Sequence, residues 1–295
     1  MRICVVVKGE KSTRREDRPM GWWSYAVPQI GLEWEFIVPG KRFTIDTAEL
    51  ADQGFDAIVH EDFGTPGTYK GRKLPLIYQD IDSTLGDAYH NTRLPIAEQA
   101  NLILVDQAPL DSFAHLGVPV YRFPYCVNDR LFAAKSAADR TIDVCLHQNK
   151  NENFTRQLIA AVFDTHICKP LNLVGSQGTV GYPELAANFS NAKVVLNWPR
   201  VPTNRPHRVF DAMAAGAALL TGPLPDVSGD LRQPNKHYRV FSHWGDLVDQ
   251  IRSLIHNNEF ESIAAAGQEL VMAHHTWAIR AQQLRTILEA HHLWK

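Results

Sequence analysis

Residues 205–221 read RPHRVFDAMAAGAALLT. Arg205, His207 and Arg208 place three possible cations ahead of one carboxylate, Asp211, and the rest of the run is small or apolar. Asp211 follows Arg208 by three residues and His207 by four, so at ~100° per residue a helix puts them on one face. Pro206 suits the first helical position, and Asn204 just upstream can cap orphan amides. The front of a helix attracts phosphate through its unpaired N–H groups and dipole. Arginine adds a bidentate grip on phosphate oxygens, and a carboxylate one turn in can accept the two hydroxyls of a ribose. The same spacing also permits a plain surface pair between Arg208 and Asp211, worth about 0.2–0.5 kcal/mol.

Two upstream pieces extend the pattern. Leu171–Gly175 reads as a strand ending in glycine, and SQGTVGYPEL follows. Gly175, Gly178 and Gly181 let backbone pass close to a ligand, and Val180 and Tyr182 are candidates to lie against a nucleobase. A flexible loop before a helix is the alternative. Val194–Trp198 then leads into NWPRVPTNRPHR, where Asn197 sits at a strand end and Arg200 joins the cations. Three strand ends thus offer base, diphosphate and ribose contacts in order, those of a nucleoside-diphosphate donor.

In the first half, HEDFG and YQDIDS follow two strand-like runs. Asp80, Asp82 and His60 are the candidates, in that order, for a base that deprotonates an attacking hydroxyl; each could instead cap a helix or close a turn. Asp80-Ile81-Asp82 also reads as a DxD, the pattern by which GT-A glycosyltransferases hold a divalent metal on a donor diphosphate. That reading leaves the basic helix of the second half unused. Trp22 and Trp23 could stack on an acceptor sugar or base, or fill the core and staple the following helix. Arg14, Arg15 and Arg18 are offset by Glu10, Glu16 and Asp17, the balance of a solvated loop.

These residues need strand ends to hold them. Apolar runs at Ile3–Val7, Trp34–Val38, Ala57–His60, Leu74–Gln79, Leu102–Asp106 and Val118–Pro124 alternate with amphipathic stretches such as Thr47–Gln53 and Leu94–Asn101. The pattern restarts with strands at Ile142–His147, Leu171–Gly175, Val194–Trp198, Ala218–Gly222 and Arg239–Ser242. Helices are expected at Phe154–Phe163, Pro183–Asn191, Pro206–Ala215, Trp244–His256, Glu259–Ala273 and Ala278–His291. Strand–helix alternation of this kind makes parallel sheets with crossover helices. The expectation is an α/β protein of two doubly wound, Rossmann-like domains facing a cleft, residues 1–135 and 136–276, in a chain of 295 residues. A net charge of −2 excludes a polycation, so nucleic-acid contact would need a local basic patch. No apolar run reaches membrane-span length, and residues 1–7 lack a signal peptide's length, so the expected setting is the cytoplasm, without membrane insertion. The four cysteines form no CxxC pair and the histidines no HExxH, which argues for free thiols and no metal site.

The run from about Gly175 to Arg280 resembles the C-terminal half of GT-B glycosyltransferases. More narrowly, it is similar to the bacterial and phage CgeB-type, spore-maturation-protein-like group within the glycosyl transferases group 1 family. YPELAANFSNAKVVLNW, RPHRVFDAMAAGAALLTGPLPDV, YRVFSHWGDLVDQI and IAAAGQELVMAHHTWAIRAQQL carry the resemblance, with His275-Thr276 and Arg280 its most specific part. The resemblance implies hexosyl or pentosyl transfer from an activated sugar, a UDP-sugar first, bound by the C-terminal domain with no further cofactor. It implies a final helix, within residues 277–295, packed back on the first domain. Asp211 takes the place of a glutamate expected to bind ribose, and Arg208 that of the basic residue before it. Three departures stand out. Asp211 is shorter than glutamate, Thr203 stands where retaining enzymes often carry a second glutamate, and His147-Gln148 replaces small residues at a strand end. The acceptor could be a glycan, a protein or a hydroxymethylated base in phage-type DNA, the last held by Trp22 or Trp23 with the Arg14–Arg18 segment and Lys41-Arg42. A module that binds a sugar nucleotide without turning it over is the non-enzymatic alternative.

Overall fold

A computed structural model describes residues 1–7, 22–40, 43–62, 67–81, 93–132, 134–148, 171–177, 180–199, 205–224 and 233–294. The chain forms two compact units, Met1–Tyr125 with Trp277–Lys295, and Cys126–Thr276.

The first unit is built on strands β1 (Arg2–Val6), β2 (Glu33–Ile37), β4 (Ala57–Asp62), β6 (Leu76–Asp80), β7 (Leu102–Val105) and β8 (Val120–Arg122). They pair in parallel in the order β2-β1-β4-β6-β7-β8. β6 and β7 are buried along their whole length, as parallel strands covered on both faces must be. Cys4, Ile58, Tyr78, Ile103 and Val105 pack together on one side of the sheet. Helix α1 (Trp22–Gln29) lies in the same unit as α8 (Trp277–Ala290), and the Tyr25 ring stands 6.2 Å from that of Trp277. α8 is also tied to β8, since Gln283 donates to the Arg122 carbonyl and Tyr121 bonds His291.

Hydrophobic alternation missed a second, two-stranded parallel sheet of β3 (Phe43–Asp46) and β5 (Gly67–Lys70). Both strands are short and only half-buried, so they lack the apolar run that marks the main sheet. Its packing requires a glycine: a Cβ on Gly67 would fall 2.0 Å from the Phe43 ring. Helix α2 (Thr47–Asp52) leads out of β3 with the Asp46 side chain accepting from the Ala48 N–H, an N-cap. Helix α3 (Leu94–Ala97) is one turn, shorter than the amphipathic stretch to Asn101 predicts.

The second unit carries β9 (Ile142–Gln148), β10 (Leu173–Gln177), β11 (Ala192–Asn197), β12 (Ala218–Thr221) and β13 (Arg239–Val240), parallel in the order β10-β9-β11-β12-β13. Its helices are α4 (Tyr182–Asn191), α5 (Arg208–Ala214), α6 (Trp244–His256) and α7 (Phe260–His274). Phe154–Phe163 lies outside the described residues. The small residues of the 205–221 run are all buried, and a Cβ on Gly267 of α7 would come within 2.7 Å of the His237 carbonyl. α5 closes on Gly216 in the left-handed region, φ +66°, where glycine carries no Cβ penalty. Buried Arg140 donates to the Ala192 and Ala215 carbonyls beside it.

The two compact units divide at Tyr125/Cys126. Residues after Tyr125 already pack in the second unit: Phe132 meets Tyr182 edge-on, and the Val127 N–H donates to the His275 carbonyl. Cys4, Cys126 and Cys145 are free and buried, and burial pushes the Cys4 and Cys145 thiols up to about 12. Among the described residues no helix is long and apolar enough to cross a membrane.

Candidate functional site

Ligands of an open parallel sheet bind outside the strands' carboxyl ends, where the strand order reverses. In the second unit the chain moves from β9 outward to β10, then back across to β11 and β12. The reversal lies between β9 and β11, whose last residues include His147 and Asn197. Arg208, the first residue of α5, sends Nη1 to the His147 carbonyl at 2.9 Å. Arg208 is therefore anchored at the switch point itself. His147 Nε2 accepts from Asn188 of α4 at 2.9 Å, and burial lowers its pKa against the opposing pull of Glu184, with Arg208 lowering it further. Asn197 donates to Thr221 at 2.9 Å and so ties the ends of β11 and β12 together.

Asp211 lies one turn into α5 and is 1% exposed. Its Oδ1 accepts the Tyr182 hydroxyl at 2.8 Å, and its Oδ2 stands 3.9 Å from His207 Nε2. Burial pushes its carboxyl up to about 8, although the Tyr182 bond and Arg208 both pull downward. Burial, and then Arg208, push His207 down to about 3. At pH 7 both groups are held mostly neutral, so Arg208 keeps its positive charge while its neighbours give up theirs. A surface Arg208–Asp211 pair is not what forms. Instead a cation stands at the strand ends, backed by a neutral acid, an arrangement that favours an anionic ligand.

Several sequence-predicted residues stand elsewhere than expected. The helix begins at Arg208, and Pro206 and His207 form the turn that leads into it. Arg205 is 2% exposed and lies over the Phe210 ring at 4.8 Å; that ring stacks on His275. It is thus an interior residue of the site's support. Gly175 is inside β10, in register with Leu146, because the strand runs on to Gln177. Tyr182 opens α4 fully buried against Phe132, so its ring is no open platform for a base. Val180 is half-buried just before that helix. Arg200 lies outside the described residues, as do Thr203 and Asn204.

In the first unit the order reverses between β1 and β4. His60 of β4 is packed in the core, its Nδ1 bonded to the Tyr69 hydroxyl at 2.8 Å and its ring between Phe43 and Tyr78. The imidazole is buried, 2% exposed, in a packed aromatic setting. Its neighbour Glu61 points to the other face and accepts from Trp23 Nε1. Trp23 is 0% exposed, the core position that was the alternative to an acceptor platform. Asp80 ends β6, buried, with Arg93 Nη1 3.7 Å from its Oδ1. Asp82 and the Trp22 side chain lie outside the described residues, and the DxD with them. Among the described residues no group of three or more His, Cys, Asp or Glu could hold a metal ion. Sequence reasoning passed over Asp106, which directly follows β7 much as Asp80 ends β6; its Oδ1 accepts the Tyr125 N–H. The signal was the same, an apolar strand ending on a carboxylate.

Residues 147–286 match the family model described as glycosyl transferase-like. That stretch holds every described residue of the switch-point site. No curated protein matches the chain by sequence. Solved structures do match by fold. Sucrose-phosphate synthase from Thermosynechococcus elongatus is 11% identical with a TM-score of 0.63, over 98% of each chain. HepE of Anabaena, in complex with UDP and glucose, is 12% identical with a TM-score of 0.63, over 98% of this chain and 100% of that one. The pneumococcal O-GlcNAc transferase GtfA, with UDP and GlcNAc, is 11% identical with a TM-score of 0.57, over 82% of this chain and 59% of that one. The fold is the Rossmann-like GT-B fold.

Proposed function

We propose that the chain is a glycosyltransferase that moves a hexosyl or pentosyl group from a nucleoside-diphosphate sugar to an acceptor. The observation that carries this reading is Arg208, anchored on the His147 carbonyl near the end of β9 at the strand-order reversal, within the segment that matches the family model. Arg208 neutralises the departing diphosphate, and Asp211 meets the ribose. Protein cations at that position do the work a divalent metal does in other transferases, so turnover needs no metal. UDP is the first nucleotide to try, because HepE and GtfA were both captured with it. Asp80 is the base to test first in the first unit. The finer resemblance to CgeB-type enzymes favours a glycan or protein acceptor over a modified DNA base.

A thermal-shift screen against UDP, GDP, ADP, CDP and TDP sugars tests the donor reading. A ligand that binds the native state at a hundred times its dissociation constant adds about 2.7 kcal/mol. One sugar nucleotide should raise the melting temperature clearly above the rest. A flat screen, with no member shifting it, would overturn the proposal. Turnover that disappears in EDTA and returns with a divalent ion would overturn its metal-free form.

A further inference from the structure

The pair formed by Tyr182 and Asp211 fixes how much of a ribose this site can read. A carboxylate that grips both hydroxyls of a ribose uses both of its oxygens. Here Oδ1 already accepts the Tyr182 hydroxyl at 2.8 Å, which occupies one of its two lone pairs and crowds the approach of a ribose hydroxyl to the other. That hydroxyl is not free to swing away. The Tyr182 ring is buried, packed edge-on at 5.1 Å against Phe132, and sits in the first turn of α4 ahead of Pro183. Oδ2 has no hydrogen bond among the described residues, and His207 Nε2, at 3.9 Å, is beyond hydrogen-bonding reach. A buried oxygen without a partner is costly, and a ligand hydroxyl that satisfies it recovers that cost. Aspartate is also one methylene shorter than glutamate, which keeps its carboxyl close to α5 and to Tyr182.

We propose that Tyr182 is a positioning residue that commits one oxygen of Asp211, leaving Oδ2 alone to meet the donor, so that the site reads one ribose hydroxyl and not the pair. This rests on the donor-site reading above. The consequence is a specificity: a donor lacking the unread hydroxyl is bound as well as its ribonucleotide counterpart.

Calorimetric titration with UDP, 2′-deoxy-UDP and 3′-deoxy-UDP tests it, on the wild type, Tyr182→Phe and Asp211→Asn. In the wild type one deoxy analogue should bind at least fivefold more weakly than UDP, and the other within twofold of it. Tyr182→Phe keeps the ring and frees Oδ1. UDP should then gain on the previously indifferent analogue by threefold or more, a pattern that general loosening of the fold would not produce. Asp211→Asn retains an acceptor for Tyr182 and a single remaining polar atom, so it should keep the one-sided pattern. Equal losses for both analogues in the wild type, no loss for either, or an unchanged pattern in Tyr182→Phe would overturn the inference. UDP binding with the wrong pattern sinks this inference alone. Failure of UDP to bind at all sinks the donor reading beneath it as well.

Discussion

Replacing Asp211 by asparagine should make the protein more stable at neutral pH, even though it damages the proposed site. The carboxyl titrates near its ordinary 3.8 when unfolded and at about 8 when folded, because burial penalises the charged form. Below pH 3.8 both states hold the proton and nothing is lost. Above it the unfolded chain releases the proton and the folded chain does not, so stability falls with rising pH until about 8. The wild type loses about 3 kcal/mol between pH 5 and pH 7 relative to a side chain that cannot titrate. Asparagine has nearly the same shape and still offers an oxygen to the Tyr182 hydroxyl. Other titrating groups, His207 included, are common to both proteins and cancel in the comparison. For a unit of this size that loss corresponds to roughly 5–10 °C in the melting transition. Melting curves of both proteins at pH 5, 6, 7 and 8 read it directly. The Asp211→Asn curve should rise steadily above the wild type across that range. Parallel curves would refute the claim that Asp211 is buried as a neutral acid.

Arg208→Ala should weaken binding of a nucleoside diphosphate roughly 10–100-fold, the range of a charge-assisted hydrogen bond, and leave binding of the bare nucleoside unchanged in calorimetry. Asp80→Asn should lower turnover by about 10²–10⁴ with donor affinity retained, as loss of a general base does. His60→Gln should do the opposite, costing stability through its lost packing between Phe43 and Tyr78 and its bond to Tyr69, with turnover per folded molecule kept. Gly267→Leu should destabilise the second unit by about 1–3 kcal/mol in urea unfolding, because its Cβ meets the His237 carbonyl, which is backbone.

What the sequence made legible was the frame. Strands of both main sheets stand out because parallel strands buried on both faces are unbroken apolar runs, such as LILV at 102–105. The β3–β5 pair stayed hidden because its strands are four residues each and half-exposed. At the site, one-dimensional spacing placed Arg208 and Asp211 on a common helix but could not show what faces them from elsewhere. The Arg208 contact is a backbone carbonyl 61 residues away, and the Asp211 contact a tyrosine 29 residues away. For the same reason Tyr182 and Trp23 read as open aromatics. Their burial is decided by Phe132 and Glu61, which adjoin them only after folding. His60 shares that origin, since its partner Tyr69 belongs to the hidden strand β5.

The most direct test of the central claim is a crystal structure of the protein soaked with the nucleoside diphosphate that stabilises it best. The account predicts diphosphate oxygens within hydrogen-bonding distance of Arg208, beyond the carboxyl ends of β9 and β11, with the ribose against Asp211. A nucleotide bound away from those strand ends, with no diphosphate oxygen within hydrogen-bonding distance of Arg208, would contradict it.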